Sequence, residues 1–166
     1  ELWEVYPQAK VLVVDLDAHQ GNGVSRILGP DPRCAILDVY NGDIYPNDTE
    51  AERYVDFAFP LASYTRDEDY LLLVKEGMRR ALRRAKPDLI IYNAGTDIYE
   101  GDELGHLSVS AAGVLARDQY IFETAWERHI PILILPSGGY SPDSGLMIGR
   151  SLHRILLTVG VKRLKV

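Results

Sequence analysis

Residues 11–23, VLVVDLDAHQGNG, constrain the fold more than any other part of the chain. Four apolar, mostly β-branched residues open the stretch, the pattern of a strand buried on both faces of a parallel sheet. Three polar side chains then follow at alternate positions: Asp15, Asp17 and His19. In an extended chain such positions point to one side. Two carboxylates and an imidazole are therefore expected to converge where the strand ends, with Gly21 and Gly23 turning the backbone away. Carboxylates so close together repel unless a cation lies between them, so the segment reads as a metal site.

Two other readings fit the same residues. An Asp after a buried strand often caps the next helix. An apolar strand followed by Asp-x-Asp also resembles the haloacid-dehalogenase-type phosphatases. In that case Asp15 attacks phosphorus beside magnesium and Asp17 protonates the leaving group. Ala18-His19 stands where that family has Gly-Thr or a similar pair.

Along the rest of the chain, strands and helices alternate. Residues 1–10 read as a helix tail or loop leading into the first strand. Residues 22–28 suggest a short helix stopped by Gly29-Pro30, and 34–39 a second buried strand containing Asp38. Residues 40–47, YNGDIYPN, form a turn-rich, aromatic surface loop. Residues 49–64 mix a short helix with an extended piece ending near Pro60. Helical spacing of Tyr70, Leu71, Val74, Met78 and Leu82 predicts a helix over 67–85 with a solvated basic face. Residues 89–92 make a third strand, broken by Asn93-Ala94-Gly95-Thr96-Asp97. Ser108 or Ser110 is expected to cap a helix to about residue 128. Residues 130–135 form a fourth strand ending in Pro136-Ser137-Gly138-Gly139-Tyr140, and a helix over 144–159 precedes a short basic tail. This alternation implies right-handed βαβ crossovers: an α/β fold of three αβα layers around a mostly parallel sheet.

The chain has 166 residues, which suits one domain. Its net charge of −6 offers no basic footprint for nucleic acid or an anionic membrane, and favours a cationic substrate such as a lysine-bearing tail. The single cysteine, Cys34, excludes an internal disulfide and fits a reducing compartment: the cytoplasm, or the nucleus in a eukaryote. It lies in an apolar run as a buried small hydrophobe. No run reaches the length of a membrane span, and the N-terminal residues are not those of a signal peptide.

Function in an open parallel sheet gathers outside the carboxyl ends of its strands. There the first strand supplies Asp17 and His19, the third Asp97, and the fourth Tyr140 behind two glycines. Taken singly, Asp97 is explained as a loop cap and Gly138-Gly139 as a turn; the conjunction carries the weight. Two carboxylates and one histidine make a three-ligand zinc set with a fourth position open. Such a zinc acts as a Lewis acid on a carbonyl and lowers the pKa of bound water. A tyrosine on a glycine-rich loop supplies a hydrogen bond to the oxyanion of a tetrahedral intermediate.

DLDAHQGNG, LDVYNGDIYP, YNAGTD with GDELGHLSVS, and SGGY, in this order, resemble the zinc-dependent histone deacetylases, nearest the class IV branch and its bacterial relatives. The resemblance runs from about residue 11 to 160. It implies the arginase/deacetylase fold and hydrolysis of N-acyl-lysine amides on protein or peptide substrates. Carried over, Asp17, His19 and Asp97 hold zinc and Tyr140 polarises the acyl carbonyl. Asp15, the backbone carbonyls of Asp17 and His19, Asp38 and Val39 belong to a structural monovalent-cation site, with potassium as its ion. Tyr45 lines the acyl-lysine channel, and Gly138 and Gly139 form part of its wall. Asn22 stands where many deacetylases carry an Asp that orients a catalytic histidine; class IV-like sequences have Asn there.

One departure matters. The family's general base belongs to an adjacent histidine pair before the DLDAH strand, and the four histidines here are His19, His106, His129 and His153. Residues 1–166 are therefore expected to be a single partial domain, the C-terminal part of a deacetylase catalytic domain. Alone it would have little or no turnover, and its exposed sheet edge would favour self-association. Two further alternatives are a non-catalytic metal-binding module and an arginase-like two-manganese ureohydrolase. The latter's motifs want more carboxylates than Gln20 and Asn22 supply.

Overall fold

The computed structural model describes residues 1–163, in which helices and strands alternate. In chain order they are α1 (Leu2–Val5), β1 (Val11–Asp15), α2 (Asn22–Leu28), β2 (Cys34–Asn41), α3 (Thr49–Glu52), β3 (Phe57–Leu61), α4 (Asp67–Ala85), β4 (Leu89–Asn93), α5 (Ala111–Glu127), β5 (Ile132–Leu135) and α6 (Ser144–Arg163). The strands form one sheet in the order β3-β2-β1-β4-β5, every pair parallel. The sequence suggests four strands; the fifth is β3, which Pro60 disguises. β3 lies at the sheet edge, where a residue without an N–H removes no ladder bond. Helix α6 runs past the expected end at residue 159, and the remainder of the basic tail lies outside the described residues.

Alternation along β1 splits the interior into two cores. Leu12 and Val14 face α4 and α5 and join Val74, Met78, Val114 and Ile121 in the larger one. Val11 and Val13 face the other way, with Cys34 and Ile36, and are covered by Leu2 and Trp3 of α1 and Val24 and Leu28 of α2. The result is the expected three-layer arrangement.

Helix ends follow from their chemistry. Helix α4 opens on Asp67, Glu68 and Asp69 and closes on Arg83 and Arg84, matching its dipole at both ends. It stops at Lys86, left-handed at φ 48°, before Pro87. Of the two candidate caps for α5, the structure uses Ser110, whose Oγ accepts from the Gly113 amide at 3.0 Å. The Ser110 hydroxyl in turn donates to Asp67 at 2.6 Å, tying the starts of α4 and α5 together.

Topology fixes where a site can form. From β1 the chain builds outward through β2 and β3, then returns to add β4 and β5 on the opposite side. The reversal falls between β1 and β4, and the crevice outside their carboxyl ends is the favoured place for a ligand. Register lines three polar residues across the sheet at that end, Asp38, Asp15 and Asn93. At the far edge, β5 leaves Leu133 and Leu135 about half exposed, at 50% and 44%. Among the described residues no helix is long and apolar enough to cross a membrane.

Cys34 is buried at the start of β2, and desolvation pushes its thiol up to about 11. Since the thiolate is the nucleophile, alkylation at about pH 8 should run at least about a hundredfold slower in the native chain than in denaturant. Native and denatured rates within about tenfold of each other would contradict the packing of β2 described here.

Candidate metal centre

Strand β1 stops at Asp15 because side chains capture the backbone. Asp15 Oδ1 accepts from the Asp17 amide at 3.2 Å, and Asp17 Oδ1 accepts from the His19 amide at 2.9 Å. These are successive Asx-turns, so residues 15–19 coil instead of extending. The expected convergence of Asp15, Asp17 and His19 on one side is corrected accordingly. Asp15 stays on the α2 face of the sheet, while Asp17 and His19 meet Asp97 from the loop after β4. The glycines also act differently from expectation. Gly21 has an ordinary φ of −74° and matters because a Cβ there would strike the Asp15 carboxylate; Gly23 lies within α2 and touches nothing.

Asp17, His19 and Asp97 each direct one donor atom inward, all within 4.8 Å of one another. His19 Nδ1 is 3.2 Å from Asp17 Oδ1 and 2.9 Å from Asp97 Oδ2. The remaining carboxylate oxygens are used to hold the group in place. Asp97 Oδ1 accepts the Ala18 amide at 2.8 Å. Asp17 Oδ2 accepts the Ser137 hydroxyl at 2.7 Å and the Gly138 amide at 2.9 Å. A Cβ on Gly138 would run into both carboxylates, so glycine there keeps the space between them clear. Gly139 backs instead onto Thr96 and Ser144.

Electrostatics marks the cluster as an unbalanced one. Burial drives the wholly enclosed Asp97 carboxyl up to about 6. Burial also pushes Asp17 up, but hydrogen bonds involving Asp97, the His19 amide and Ser137 outweigh it, leaving Asp17 below its ordinary value. The bond to Asp97 is the main cause that raises His19.

A tetrahedral zinc with bonds of about 2.0 Å sets its donors roughly 3.3 Å apart. The 2.9 and 3.2 Å separations from His19 fall close to that spacing, all three donors lie within 4.8 Å, and a mixed nitrogen and oxygen set suits such an ion. The residues present therefore fit a divalent metal.

Around this cluster the other sequence candidates are placed unequally. Tyr140 is 61% exposed, and its ring centre lies 6.5 Å from that of His19 at nearly a right angle. Its backbone is fixed by Asp102, whose Oδ2 accepts the Tyr140 and Ser141 amides at 2.7 and 3.2 Å. The Oδ1 of the same residue accepts the Leu104 and Gly105 amides at 2.9 and 3.2 Å. Neither Asp102 nor Ser137 is singled out by the sequence. The Gly-Asp-x-x-Gly spacing signals the local turn, but nothing in it shows the reach to Tyr140. Tyr45 is 79% exposed on a loop pinned by Gln20, which exchanges hydrogen bonds of 3.1 and 2.8 Å with the Asp48 backbone. Of the remaining histidines, His106 lies parallel to Tyr64 with ring centres 6.4 Å apart, His129 lines a cavity with Phe122 and Trp126, and His153 is exposed on α6.

A second pair of carboxylates lies below the first. Asp15 Oδ1 accepts the Asn93 amide group at 2.8 Å, and Asp38 Oδ2 accepts the Gly21 amide at 2.9 Å. Asp38 Oδ1 is buried without a hydrogen-bond partner, and Val39 beside it is enclosed. Burial lifts Asp15 to about 7 and Asp38 well above the usual carboxylate range. With 2% of its surface exposed, Asp15 cannot reach a phosphoryl group, which corrects the phosphatase reading.

Residues 2–155 match the model of the histone deacetylase domain. Histone deacetylase 2 of Arabidopsis thaliana is 44% identical over 147 residues, covering 89% of this chain and 38% of the relative. Histone deacetylase 19 of the same plant is 27% identical over 140 residues, covering 80% of this chain and 27% of the relative. Among solved structures, the HDA15 HD domain superposes with a TM-score of 0.76 at 24% identity over 95% of this chain and 46% of its own. The acetylpolyamine aminohydrolase of Burkholderia pseudomallei gives 0.74 at 22% identity over 89% and 44%. At those identities the structural matches speak for the fold, the expected arginase/deacetylase type. The chain spans less than half the length of each of these proteins.

Gly138→Ala places a methyl group between the two carboxylates. It should leave the far-ultraviolet circular dichroism unchanged and weaken divalent-metal uptake by at least about tenfold, the scale of a disturbed metal surround. Parental affinity in this variant, measured by calorimetry, would show that the space between Asp17 and Asp97 is not where the metal sits.

Proposed function

The chain belongs to the histone deacetylase family, and from that we propose that its protein hydrolyses N-acyl-lysine amides using a zinc ion held by Asp17, His19 and Asp97. One observation carries the reading: three donors of the right chemistry meet within 4.8 Å at the reversal point of the sheet. When bound, the ion supplies Lewis acidity toward an amide carbonyl and its attacking water. Everything else is the work of the chain's own groups.

Hydrogen bonds from Ala18, Ser137 and Gly138 fix the two carboxylates before any ligand arrives, which keeps the site preorganised. Tyr140 brings a phenol to the cluster's rim, edge-on to His19, with its backbone held there by Asp102. Slight burial and the charges of Asp17, Asp97 and Asp102 all raise its pKa. The phenol therefore keeps its proton at neutral pH and donates it in a hydrogen bond to the oxyanion that forms as the amide is attacked. Gly138, bare of a side chain, keeps the space between Asp17 and Asp97 clear, and with Gly139 it is assigned to the channel wall. Tyr45, on its exposed loop, is assigned to the outer channel, where it would contact the aliphatic part of the lysine.

A general base is not among the described residues facing the cluster: His106, His129 and His153 are engaged or exposed elsewhere. We assign it to the part of the family's catalytic domain that this chain, spanning less than half the length of its relatives, does not cover. By itself the chain should hydrolyse an acyl-lysine peptide about two to four orders of magnitude more slowly than a complete enzyme, the usual worth of positioned acid–base catalysis. The lower pair, Asp15 and Asp38, with the carbonyls of Asp17 and His19 and with Val39, is assigned to a potassium ion. The partnerless Asp38 Oδ1 supports that, since a buried carboxylate oxygen without a donor calls for a cation or a proton.

Two measurements test these assignments. Zinc titration should give one tight site per chain, weakened by at least about a hundredfold in Asp17→Ala; no saturable uptake, or equal uptake by the variant, would remove the basis for zinc hydrolysis. Potassium at about a hundred times its Kd should raise Tm on the order of 5–10 °C over a choline control of equal ionic strength. Asp38→Asn should lose that rise, and identical curves in the two salts would eliminate the lower site.

A further inference from the structure

Beyond Asn93 the two central strands part. Leu16 still donates its amide to the Asn93 carbonyl at 3.1 Å, the last ladder bond between them. From there residues 16–18 lean toward β2, where the Ala18 carbonyl accepts from Asn41 at 2.9 Å. Residues 94–96 lean toward β5, where Ala94 donates to Leu135 at 2.9 Å and Thr96 to Gly138 at 2.5 Å. The opening holds the metal cluster, and it strands the carbonyls of Leu16 and Gly95 in the interior. Buried carbonyls need donors.

Arg117 of α5 supplies them. Its side chain is wholly buried, and Nη1 donates to Leu16 O at 3.0 Å and to Gly95 O at 2.6 Å. One nitrogen thus bridges the residue before Asp17 and the residue two before Asp97. The guanidinium is itself held from behind: Nε donates to Asp118 Oδ1 at 2.9 Å, and the Tyr92 hydroxyl donates to that oxygen. Tyr70 adds a long contact of 3.5 Å to Leu16 O.

Resting on the metal-site reading above, we propose that Arg117 is a positioning residue that sets the separation of the Asp17 and Asp97 ligands across the split between β1 and β4. Burying an ion pair is a poor way to gain stability, because apolar groups of the same volume are often as good. What an apolar group cannot do is hold two divergent carbonyls at a fixed distance. Nη1 does this because its two N–H bonds lie in the guanidinium plane, and the Nε–Asp118 bond holds that plane in place. Arg117 therefore acts on the metal through Asp17 and Asp97, without touching it.

The test compares metal binding with folding in the chain as it stands. Arg117→Met fills the same space without donors, and Arg117→Lys keeps the charge but loses the planar group that Asp118 anchors through Nε, so its donors to the two carbonyls are no longer fixed in direction. Both should weaken zinc binding by about tenfold or more, the value of one or two buried hydrogen bonds. Both should also change the visible spectrum of the cobalt(II)-substituted site, which reports ligand geometry directly. Val74→Ala, a cavity in the same core away from these carbonyls, should lower Tm yet leave the zinc affinity and the cobalt spectrum as they are in the parent. Should Arg117→Met fail to fold, Arg117→Lys carries the comparison, and Tyr92→Phe should shift the cobalt spectrum in the same sense by loosening Asp118. A folded Arg117→Lys with parental affinity and spectrum overturns the positioning role while leaving the metal site intact. A parent chain that binds no zinc, or binds it equally after Asp17→Ala, overturns both.

Discussion

Four carboxylates, Asp15, Asp17, Asp38 and Asp97, are buried at one end of a five-stranded sheet, and the rest of the site follows from having to tolerate them. Like charges at such separations in a low-dielectric interior cannot all stay ionised without a positive partner. His19 is the one titratable cation hydrogen-bonded among them in the described structure, and Arg117 is already matched by Asp118. The excess negative charge is therefore an invitation to cations. It divides in two because alternation in β1 puts Asp15 on the α2 face and the Asx-turns carry Asp17 toward β4.

Placement of that charge is a property of the topology. A parallel sheet that reverses its building direction beside β1 must leave a cleft there. Loops from β4 and β5 then reach over it with Asp97, Ser137, Gly138 and Tyr140. Hydrogen bonds from Thr96 to Gly138 and from Tyr140 and Ser141 to Asp102 hold these loops in register with each other. Stiffness comes from polar contacts that use up nearly every carboxylate oxygen, so the Asp17 and Asp97 carboxylates have few other positions to adopt.

Much of this was legible in the amino-acid order. Asp17, His19 and Asp97 stand out because each interrupts a strand at its carboxyl end, where a purely structural sequence would turn with Gly, Asn or Pro. Helix α4 is readable from its apolar spacing and its charged ends. Strand β3 was harder, since Pro60 contradicts the usual strand signal and is tolerated only at an edge, a fact of tertiary position. Period-two alternation puts Asp15 on the wrong side, because side-chain capture of the Asp17 and His19 amides breaks that rule within two residues. Arg117 was invisible for another reason. In one dimension an arginine on a helix looks solvated, and only the parting of β1 and β4, whose stranded carbonyls lie 101 and 22 residues before it, gives it an interior task.

Asp102 has an implication for how such proteins diversify. With four backbone amides from two separate loops converging on its one carboxylate, the turn after β4 and the glycine-rich turn carrying Tyr140 behave as a single mechanical part. Lengthening or grafting either turn alone would pull the shared anchor out of true. The outer loop bearing Tyr45 hangs from a different peg, Gln20, so a change of length there leaves the inner pair undisturbed.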